Sequence, residues 1–472
     1  MAKSRKKRGG RKSDGEPAAI ARRGEDGPRG FWVVTAVLLF AVLWAIWMRV
    51  MEFGSDEGNW VYPYLRRPDV RAVLLGIVVA TAAGFMAMRL PIRPRGIGQE
   101  VGLVVATFVV GVALEISVRE FSPDSLASLV QSDTANGFYS AAVRTDVSAL
   151  LGSFEQTLAG LPRHVQSNLP GKVLFYRSLL TVSHNPAVLG WLVIAISNLT
   201  AVFVYLLGRF LFTDRSVAWF AMVLCLFSPA KVLFQPILNV VSPVLVYAAL
   251  VLWVASIQSL TRWLPLLCGA MLFAAFLIEP LPFALGLVFV ALALQRVRET
   301  RSISQPLGSA VRITVGFLGC ALLLYWWRGF DVLREFRFVT ADAVNFNYTA
   351  RRSYGVWVVQ NVKEYFVGAG AAASFVAVTS LFFLPRLNWR ESTEGRMGAL
   401  TAGFFVTLAV LDLAGINRGE VTRLWIFLVP IQCLIVAYAC SRWLGAKTSA
   451  VVAAGAILQI ALCIGSVGFV IP

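Results

Sequence analysis

The sequence contains few of the side chains that soluble enzymes use for acid–base and metal chemistry. Its 472 residues include 2 histidines, 6 cysteines and 26 acidic residues, and only 15% of the chain is charged. Every cysteine falls inside an apolar run and no Cys-x-x-Cys pair is present, which argues against a disulfide framework or a cysteine-based metal site. Walker A, His-Glu-x-x-His and dinucleotide-binding glycine motifs are also missing, so nucleotide binding and zinc proteolysis are not expected.

Apolar side chains dominate what is present. They make up 57% of the chain, and the mean hydropathy of +0.70 is too high for a soluble globular protein. Because a membrane-spanning helix uses about 20 residues, we predict an all-α, polytopic membrane protein with about 11 to 13 transmembrane helices and large extracytoplasmic loops. The predicted spans are 31–50, 71–88, 100–118, 188–208, 216–230, 240–257, 264–279, 281–295, 311–329, 367–385, 397–414, 424–442 and 448–471.

The basic residues are concentrated on one side of this predicted topology. The chain has 43 lysines and arginines against 26 acids, a net charge of +17. Residues 1–30 are rich in these cations and predict a disordered basic cytoplasmic tail, whereas residues 31–472 form the predicted transmembrane domain. The short connectors on the side of the tail are basic too, as the positive-inside rule requires. We therefore predict a multi-pass protein of the cytoplasmic (inner) membrane with a cytoplasmic N-terminus.

The polar residues lie mainly in the predicted extracytoplasmic segments, of which 119–187 and 331–366 are the largest. Segment 119–187 holds both histidines and an apolar stripe at helical spacing, which predicts an amphipathic helix on the membrane surface. Segment 331–366 interleaves arginines with aromatic residues, a pattern typical of a sugar-phosphate groove or of an interfacial belt. Because these basic loops are extracytoplasmic, we expect membrane lipids as partners but no nucleic acid. The residues of the apolar stripe are Leu150, Leu151, Phe154, Leu158 and Leu161.

Three acids fall near the predicted outer ends of spans. Glu115, Glu279 and Asp412 could line a cavity that opens to the outside, or could be ordinary helix-end residues at the lipid headgroups. A third arrangement, in which all three surround a site at the middle of the membrane, would instead indicate a transporter.

Several outer motifs resemble those of a known enzyme superfamily. Residues 132–140 (Ser-Asp-Thr-Ala-Asn-Gly-Phe-Tyr-Ser), then His164 and residues 168–172 (Asn-Leu-Pro-Gly-Lys), are similar to the outer loop of bacterial GT-C glycosyltransferases. In that loop an acid precedes an aromatic pair, and a His-Pro-Pro-Gly-type element closes it. Residues 228–236 and 417–427, the latter with Arg-Gly-Glu followed by arginine, resemble the same superfamily. The resemblance covers roughly residues 120–430.

This resemblance implies an integral membrane enzyme that uses polyprenyl-phosphate sugars. It would be an inverting hexosyl- or pentosyltransferase that moves a sugar to a lipid or glycan acceptor of the bacterial cell envelope on the extracytoplasmic face. The sequence departs from the family at two points. The family's key acid often lies in the first outer loop, where this chain has Asp56 and Glu57 as alternative catalytic acids. Asn168-Leu169 stands where His-Pro is common, so His164 is the imidazole that we assign to catalysis instead.

Residue types indicate how such a transfer would work here. A carboxylate must accept the proton of the acceptor hydroxyl, and Asp133 is the predicted base, although it could equally be a helix N-cap. Cations must hold the phosphate leaving group as it gains charge. Glu420, which lies between two arginines, is either their ion-pair partner or a substrate contact. The predicted substrate-binding residues are Lys172, Arg163, Arg418, Glu420, Arg423 and Tyr139, with Arg177 as a further outer cation.

No cofactor follows from the sequence. Asp133, Asp146 and Glu155 share one loop and could bind a divalent cation, but their spacing matches no metal-binding signature. Two alternatives to the glycosyltransferase remain. One is an O-antigen polymerase or ligase, which also handles lipid-linked sugars, and the other is a flippase or transporter of such lipids.

Overall fold

The computed structural model describes residues 30–89, 96–259 and 261–472, and it confirms the predicted all-α polytopic membrane fold. Within these ranges, ten helices are long and apolar enough to cross a membrane, or eleven if one sharply bent helix pair counts as a single span. Two shorter apolar helices, of 17 and 15 residues, coincide with the first and seventh predicted spans. Most of the predicted basic tail, residues 1–29, lies outside the described residues.

The helices follow one another with short connections. They are α1 (Phe31–Trp47), α2 (Val70–Met88), α3 (Ile97–Arg119), α4 (Leu126–Gln131), α5 (Phe138–Arg144), α6 (Val147–Gly152), α7 (Phe154–Leu158), α8 (Arg163–Gln166), α9 (Gly171–Leu180), α10 (Pro186–Phe212), α11 (Arg215–Leu226), α12 (Pro229–Leu233), α13 (Ser242–Ser259), α14 (Leu264–Ile278), α15 (Gly286–Thr300), α16 (Ser304–Arg328), α17 (Val332–Thr349), α18 (Tyr354–Gly368), α19 (Ala371–Ser380), α20 (Ser392–Ala414), α21 (Val421–Leu424), α22 (Val429–Ala439) and α23 (Ala446–Cys463). Short 3-10 turns are Leu238–Val240, Leu281–Leu285, Leu381–Arg386 and Ile426–Leu428, and a π turn is Cys440–Leu444. The strands β1 (Gly54–Ser55) and β2 (Trp60–Val61) form an antiparallel hairpin.

The predicted span 367–385 belongs to a broken element. Helices α18 and α19 meet at an angle of 112° across a break at Ala369 and Gly370. Gly370 has φ 109°, a conformation that favours glycine, so the chain can turn sharply there. Hydropathy alone did not reveal this bend, because the apolar run is continuous across it.

Ion pairs divide the described residues into two groups at opposite ends of the helices. Every ion pair found joins segments that the predicted topology places on one side of the membrane. The pairs on the predicted outer side include Arg163–Asp342, Arg334–Glu155, Arg352–Glu420 and Lys363–Glu52. Those on the predicted inner side include Arg209–Glu100, Arg396–Glu299 and Arg442–Asp214.

The segment between α3 and α10 folds into six short helices on the predicted outer end. The sequence predicted one amphipathic helix on the membrane surface there, and this prediction was wrong in two respects. The helix is divided at Ser153 into α6 and α7, and its apolar side chains are buried in the protein core. Phe154, for example, packs edge-on against Phe330 with ring centroids 5.4 Å apart.

Candidate functional site

Buried and partly buried charged and aromatic side chains gather at the end of the molecule that the predicted topology places outside the membrane. Arg423 is the hub of this group, because its charge interacts with those of carboxylates, a lysine and a histidine from four other parts of the chain. The polar cluster, as we name this group, consists of Trp60, Tyr62, His164, Lys172, Glu279, Arg352, Glu364, Glu420 and Arg423.

Lys172 reaches the polar cluster from the first turn of α9. Its ammonium group donates to Asn168 Oδ1 at 3.0 Å, lies 4.0 Å from Glu279 Oε1 and sits 5.3 Å from the centre of the Phe138 ring. Only 3% of the residue is exposed. Burial, together with the charge of Arg423, lowers the pKa of Lys172. The cation is thus held inside the protein by one carboxylate and one amide.

A close helix contact fixes the position of Lys172 relative to Glu279. A Cβ atom on Gly171 would lie 2.3 Å from the carbonyl carbon of Leu277, so the start of α9 touches the end of α14 directly. Glu279 follows α14 and accepts from Asn239 Nδ2 at 2.7 Å. Gly171 therefore serves helix packing here, and its neighbour Lys172 carries the charge.

Two arginines share the carboxylate of Glu420. Arg352 Nη2 donates to Glu420 Oε1 at 2.9 Å, and Arg423 Nη2 donates to the other oxygen. Burial of Glu420 opposes its ionisation, but the charges of Arg423 and Arg352 outweigh burial and lower the pKa of the carboxyl group. Glu420 also has φ 61°, an uncommon conformation for a residue with a side chain. The two arginines thus hold a strained turn that ends at α21.

His164 contributes an uncharged ring. Burial of the imidazole and the positive charges of Arg423 and Lys172 lower its pKa to about 4. The ring lies beside the main chain of Thr134, next to the predicted base Asp133. At neutral pH this histidine is unprotonated and can accept a proton.

Several buried polar atoms of the polar cluster have no hydrogen-bond partner among the described residues. A buried polar atom normally has a partner, so six such atoms in one group mark a place where water or a ligand can bind. They are Trp60 Nε1, Tyr62 Oη, Glu279 Oε2, Arg352 Nε, Glu364 Oε2 and Arg423 Nε.

The structure brings together four of the predicted site residues, His164, Lys172, Glu420 and Arg423, but places the carboxylate of Asp133 elsewhere. Asp133 accepts from Ser140 and lies 3.9 Å from Arg144, with 47% of its side chain exposed. It is also not a helix N-cap, since Gly137 has that position in α5.

The other predicted residues lie outside the polar cluster, although Arg418 contacts the main chain of one of its members. Arg163 pairs with Asp342 at 3.0 Å and is largely exposed. Arg418 Nη1 donates to the carbonyl of Arg352 at 2.8 Å, which gives it a role in loop structure. Tyr139 packs against Tyr176 with ring centroids 6.1 Å apart. Arg177 Nη1 donates to the carbonyl of Ala142 at 3.1 Å.

The alternative acids Asp56 and Glu57 are exposed at the tip of the β1–β2 hairpin. The same hairpin nevertheless carries two residues of the polar cluster that the sequence did not indicate, Trp60 and Tyr62. Lys363 Nζ donates to the carbonyl of Gly54 at 3.0 Å and thereby fastens the hairpin to α18. Glu364 was missed in the same way, because a glutamate at the end of an aromatic-rich segment carries no motif.

The three acids near the ends of spans belong to separate sites. Glu115 pairs with Lys231 at 2.7 Å, Asp412 accepts from Asn361 Nδ2 at 3.2 Å, and Glu279 belongs to the polar cluster. Their different partners do not form the shared midplane site that would indicate a transporter.

No metal site is evident within residues 30–89, 96–259 and 261–472, where no three or more His, Cys, Asp or Glu side chains are arranged to hold a metal ion. Comparisons with known proteins do not identify the chain: no protein-family model matches it, and no curated protein matches it in sequence.

Proposed function

We propose that the protein is an inverting membrane glycosyltransferase of the bacterial cytoplasmic membrane. It takes a sugar from a polyprenyl-phosphate donor to a lipid or glycan acceptor on the extracytoplasmic face. The observation that supports this proposal best is the pair of cations, the buried Lys172 and the mostly buried Arg423, beside the neutral His164. The sugar chemistry itself rests on the resemblance of the outer motifs to GT-C enzymes.

Lys172 and Arg423 suit a phosphate that gains charge as its bond to the sugar breaks. Fixed donors in a water-poor site stabilise such charge strongly, because they need no reorganisation during the reaction. Arg423 stays charged under all physiological conditions, and its Nε is free of protein partners among the described residues. Glu420 holds this guanidinium in place while Nε remains available for a phosphate oxygen.

The proton acceptor has three candidates in this proposal. Asp133 remains the predicted base, and His164 is neutral within the polar cluster. Glu279 directs Oε1 towards Lys172 Nζ at 4.0 Å, and its Oε2 has no partner among the described residues. Within the polar cluster Trp60 is only partly buried and offers an aromatic surface to a sugar, whereas Tyr62 is buried against Phe234 and Phe469.

Turnover by the purified protein with labelled polyprenyl-phosphate sugars tests the proposal. We expect transfer to a lipid acceptor that is lost in Arg423→Gln. Turnover that survives both Asp133→Ala and Asp133→Asn would remove Asp133 as the base and leave His164 and Glu279. The same turnover assay with a chelator added tests whether a divalent cation is needed.

The same preparation in liposomes separates the alternatives. Movement of the lipid-linked sugar across the bilayer without bond transfer would identify a flippase and contradict the glycosyltransferase proposal. Extension of a lipid-linked glycan by a preformed oligosaccharide, with no activity on monosaccharide donors, would identify a polymerase or ligase.

A further inference from the structure

A membrane-facing groove lies apart from the polar cluster, between α2, α3 and α23. Its walls are almost entirely apolar. Val79 of α2 lines the groove nine residues after Val70, the first residue of that helix. At 1.5 Å per residue, Val79 lies about 14 Å from the predicted outer end of α2. The groove therefore runs from the predicted outer boundary into the membrane. Its lining includes Ala72, Leu75, Val79, Leu114, Ile457 and Ala461.

One acid in the groove wall does not make the groove polar. Glu115 lines it, but both carboxylate oxygens are engaged on the protein side. One accepts from Lys231 at 2.7 Å, and the other accepts from Asn198 at 2.9 Å and Gln235 at 2.5 Å. The wall that faces the groove at this position is thus hydrocarbon.

A buried arginine lies at the outer end of the groove. Arg119, the last residue of α3, is 5% exposed and donates from Nη2 to Ser122 Oγ at 3.2 Å. Its Nε has no partner among the described residues. Arg119 and Ser122 line a smaller pocket, which shares Ile464 with the groove. The charge of Asp124 also acts on Arg119.

A second arginine stands near this end. Arg66 Nη2 donates to the carbonyl of Phe121 at 2.8 Å, and Arg66 Nε donates to the carbonyl of Gly465 at 2.6 Å. Phe121 itself lines the groove. Arg119 and Arg66 thus place two guanidinium groups near this end of the groove.

We propose that the groove binds one acyl chain of an anionic glycerophospholipid, whose phosphate is held by Arg119, Ser122 and Arg66. Apolar walls continuous with a buried guanidinium fit a molecule that joins hydrocarbon to an anion, and basic pockets between membrane helices bind lipid headgroups in this manner. This inference does not depend on the glycosyltransferase proposal.

The lipid is distinct from the proposed sugar donor because aromatic rings stand between the two sites. Phe469 lines the cavity at Arg119, and its ring centroid lies 5.0 Å from that of Tyr62 and 5.4 Å from that of Phe234. Tyr62 belongs to the polar cluster. A phosphate at Arg119 is therefore separated from Arg423 by this aromatic layer.

Lipid retention tests the proposal on the full-length protein purified in detergent. Phospholipids that remain bound are extracted and quantified by mass spectrometry for the wild type, Arg119→Gln, Leu75→Trp and Leu74→Trp. We expect about ten-fold less phosphatidylglycerol with Arg119→Gln, because a charge-assisted hydrogen bond is lost. Leu75→Trp fills the groove and should have a similar effect. Leu74→Trp is the matched control, since Leu74 is 59% exposed on the neighbouring face of α2.

A thermal-stability measurement supplies the second arm. Added phosphatidylglycerol should raise the melting temperature of the wild type, whereas phosphatidylcholine and inorganic phosphate should not, and the gain should vanish in Leu75→Trp even if Arg119→Gln does not fold. Equal retention of phosphatidylglycerol in the wild type and Leu75→Trp would overturn the proposal. Recovery of a polyprenyl phosphate in place of phospholipid would overturn it too and assign the groove to the carrier lipid.

Discussion

Arg423 illustrates how one side chain can organise a buried site. Its guanidinium holds Glu420 on one edge and leaves Nε without a protein partner on the other, among the residues that the structure describes. The charges of Glu279, Glu364 and Glu420 act on it from several directions. An arginine surrounded by carboxylates stays protonated, so its guanidinium is available as a cation to bind an anionic ligand.

Replacement of Arg423 should therefore affect turnover more than folding. We expect Arg423→Gln to lower kcat by about 100-fold or more, the usual cost of removing one donor that stabilises developing charge. The measurement is transfer from labelled polyprenyl-phosphate sugar. Arg71→Gln is the matched control, because Arg71 is a largely exposed cation that pairs with its neighbour Asp69 on the same predicted side. Equal turnover in the two variants would contradict the assigned role.

His164 gives the protein a specific sensitivity to acid. Its pKa falls to about 4 in the folded protein because of burial and of the charges of Arg423 and Lys172, whereas an unfolded histidine titrates near 6.5. Between these values the unfolded chain binds more protons than the folded one. The folded state therefore loses stability as pH falls through this window, by about 2 kcal/mol at pH 5.

The expected result is that His164→Gln removes part of this acid sensitivity. The apparent melting temperature of the wild type should fall more between pH 7.5 and pH 5 than that of His164→Gln. The other histidine of the chain supplies the control, since His184 is exposed and His184→Gln should behave as the wild type does. If His164→Gln and the wild type lose the same number of degrees, the imidazole is not the group responsible.

The sequence indicated only some of the residues that meet in the polar cluster. His164, Lys172, Glu420 and Arg423 lie in motifs of polar residues beside turns, and such motifs can be recognised in a single sequence. Which of several outer cations turns inward depends on packing. Arg163 and Arg423 look alike in the sequence, but the side chain of Arg163 is 55% exposed and pairs with Asp342, whereas that of Arg423 is 15% exposed and pairs with Glu420.

At the level of elements, the contact between α9 and α14 determines where Lys172 stands. Gly171 allows this contact because a side chain there would overlap the main chain of Leu277 and Ile278. Main-chain atoms cannot move aside as the end of a flexible side chain can. The distance between Lys172 and Glu279 thus depends on a residue that has no side chain of its own.

Gly171→Ala should accordingly disturb both stability and the site. We expect a loss of roughly 1–3 kcal/mol from overpacking, together with reduced turnover, because the helices must separate. Thermal unfolding and the transfer assay measure the two effects. Gly160→Ala is the control, since no atom lies within 4 Å of a Cβ built at Gly160. An unchanged melting temperature in Gly171→Ala would show that α9 and α14 are not packed this closely.

Element positions were largely predictable because apolar length is a strong local signal. Each of the thirteen predicted spans overlaps an observed apolar helix, although many helix ends differ by several residues. The bend between α18 and α19 was not predictable from hydropathy, since both sides of Gly370 are apolar. The division of the amphipathic segment into α6 and α7, and its burial, also depended on partners far along the chain, such as Phe330.

At the scale of the whole molecule, the two groups of ion pairs agree with the predicted order of membrane crossings, and each group can be assigned to one side by experiment. Among the described residues, each ion pair joins connecting segments that lie on the same predicted side of the membrane, as Arg334–Glu155 and Arg396–Glu299 show. A single error in the number of crossings would assign paired residues to opposite sides, whereas reversal of the whole orientation would keep both groups of ion pairs intact. In the reversed orientation the polar cluster would face the cytoplasm, where its proposed donor is not presented.

Cysteine labelling in intact cells can decide the sides. Glu57→Cys lies at the exposed tip of the β1–β2 hairpin, and Arg390→Cys lies in an exposed connector of the opposite group. Five of the six native cysteines are buried and the sixth is partly so, which keeps the background low. We expect a membrane-impermeant maleimide to label Glu57→Cys in spheroplasts and Arg390→Cys only after the membrane is opened. The reverse pattern would place the polar cluster on the cytoplasmic side and exclude an extracytoplasmic glycosyltransferase.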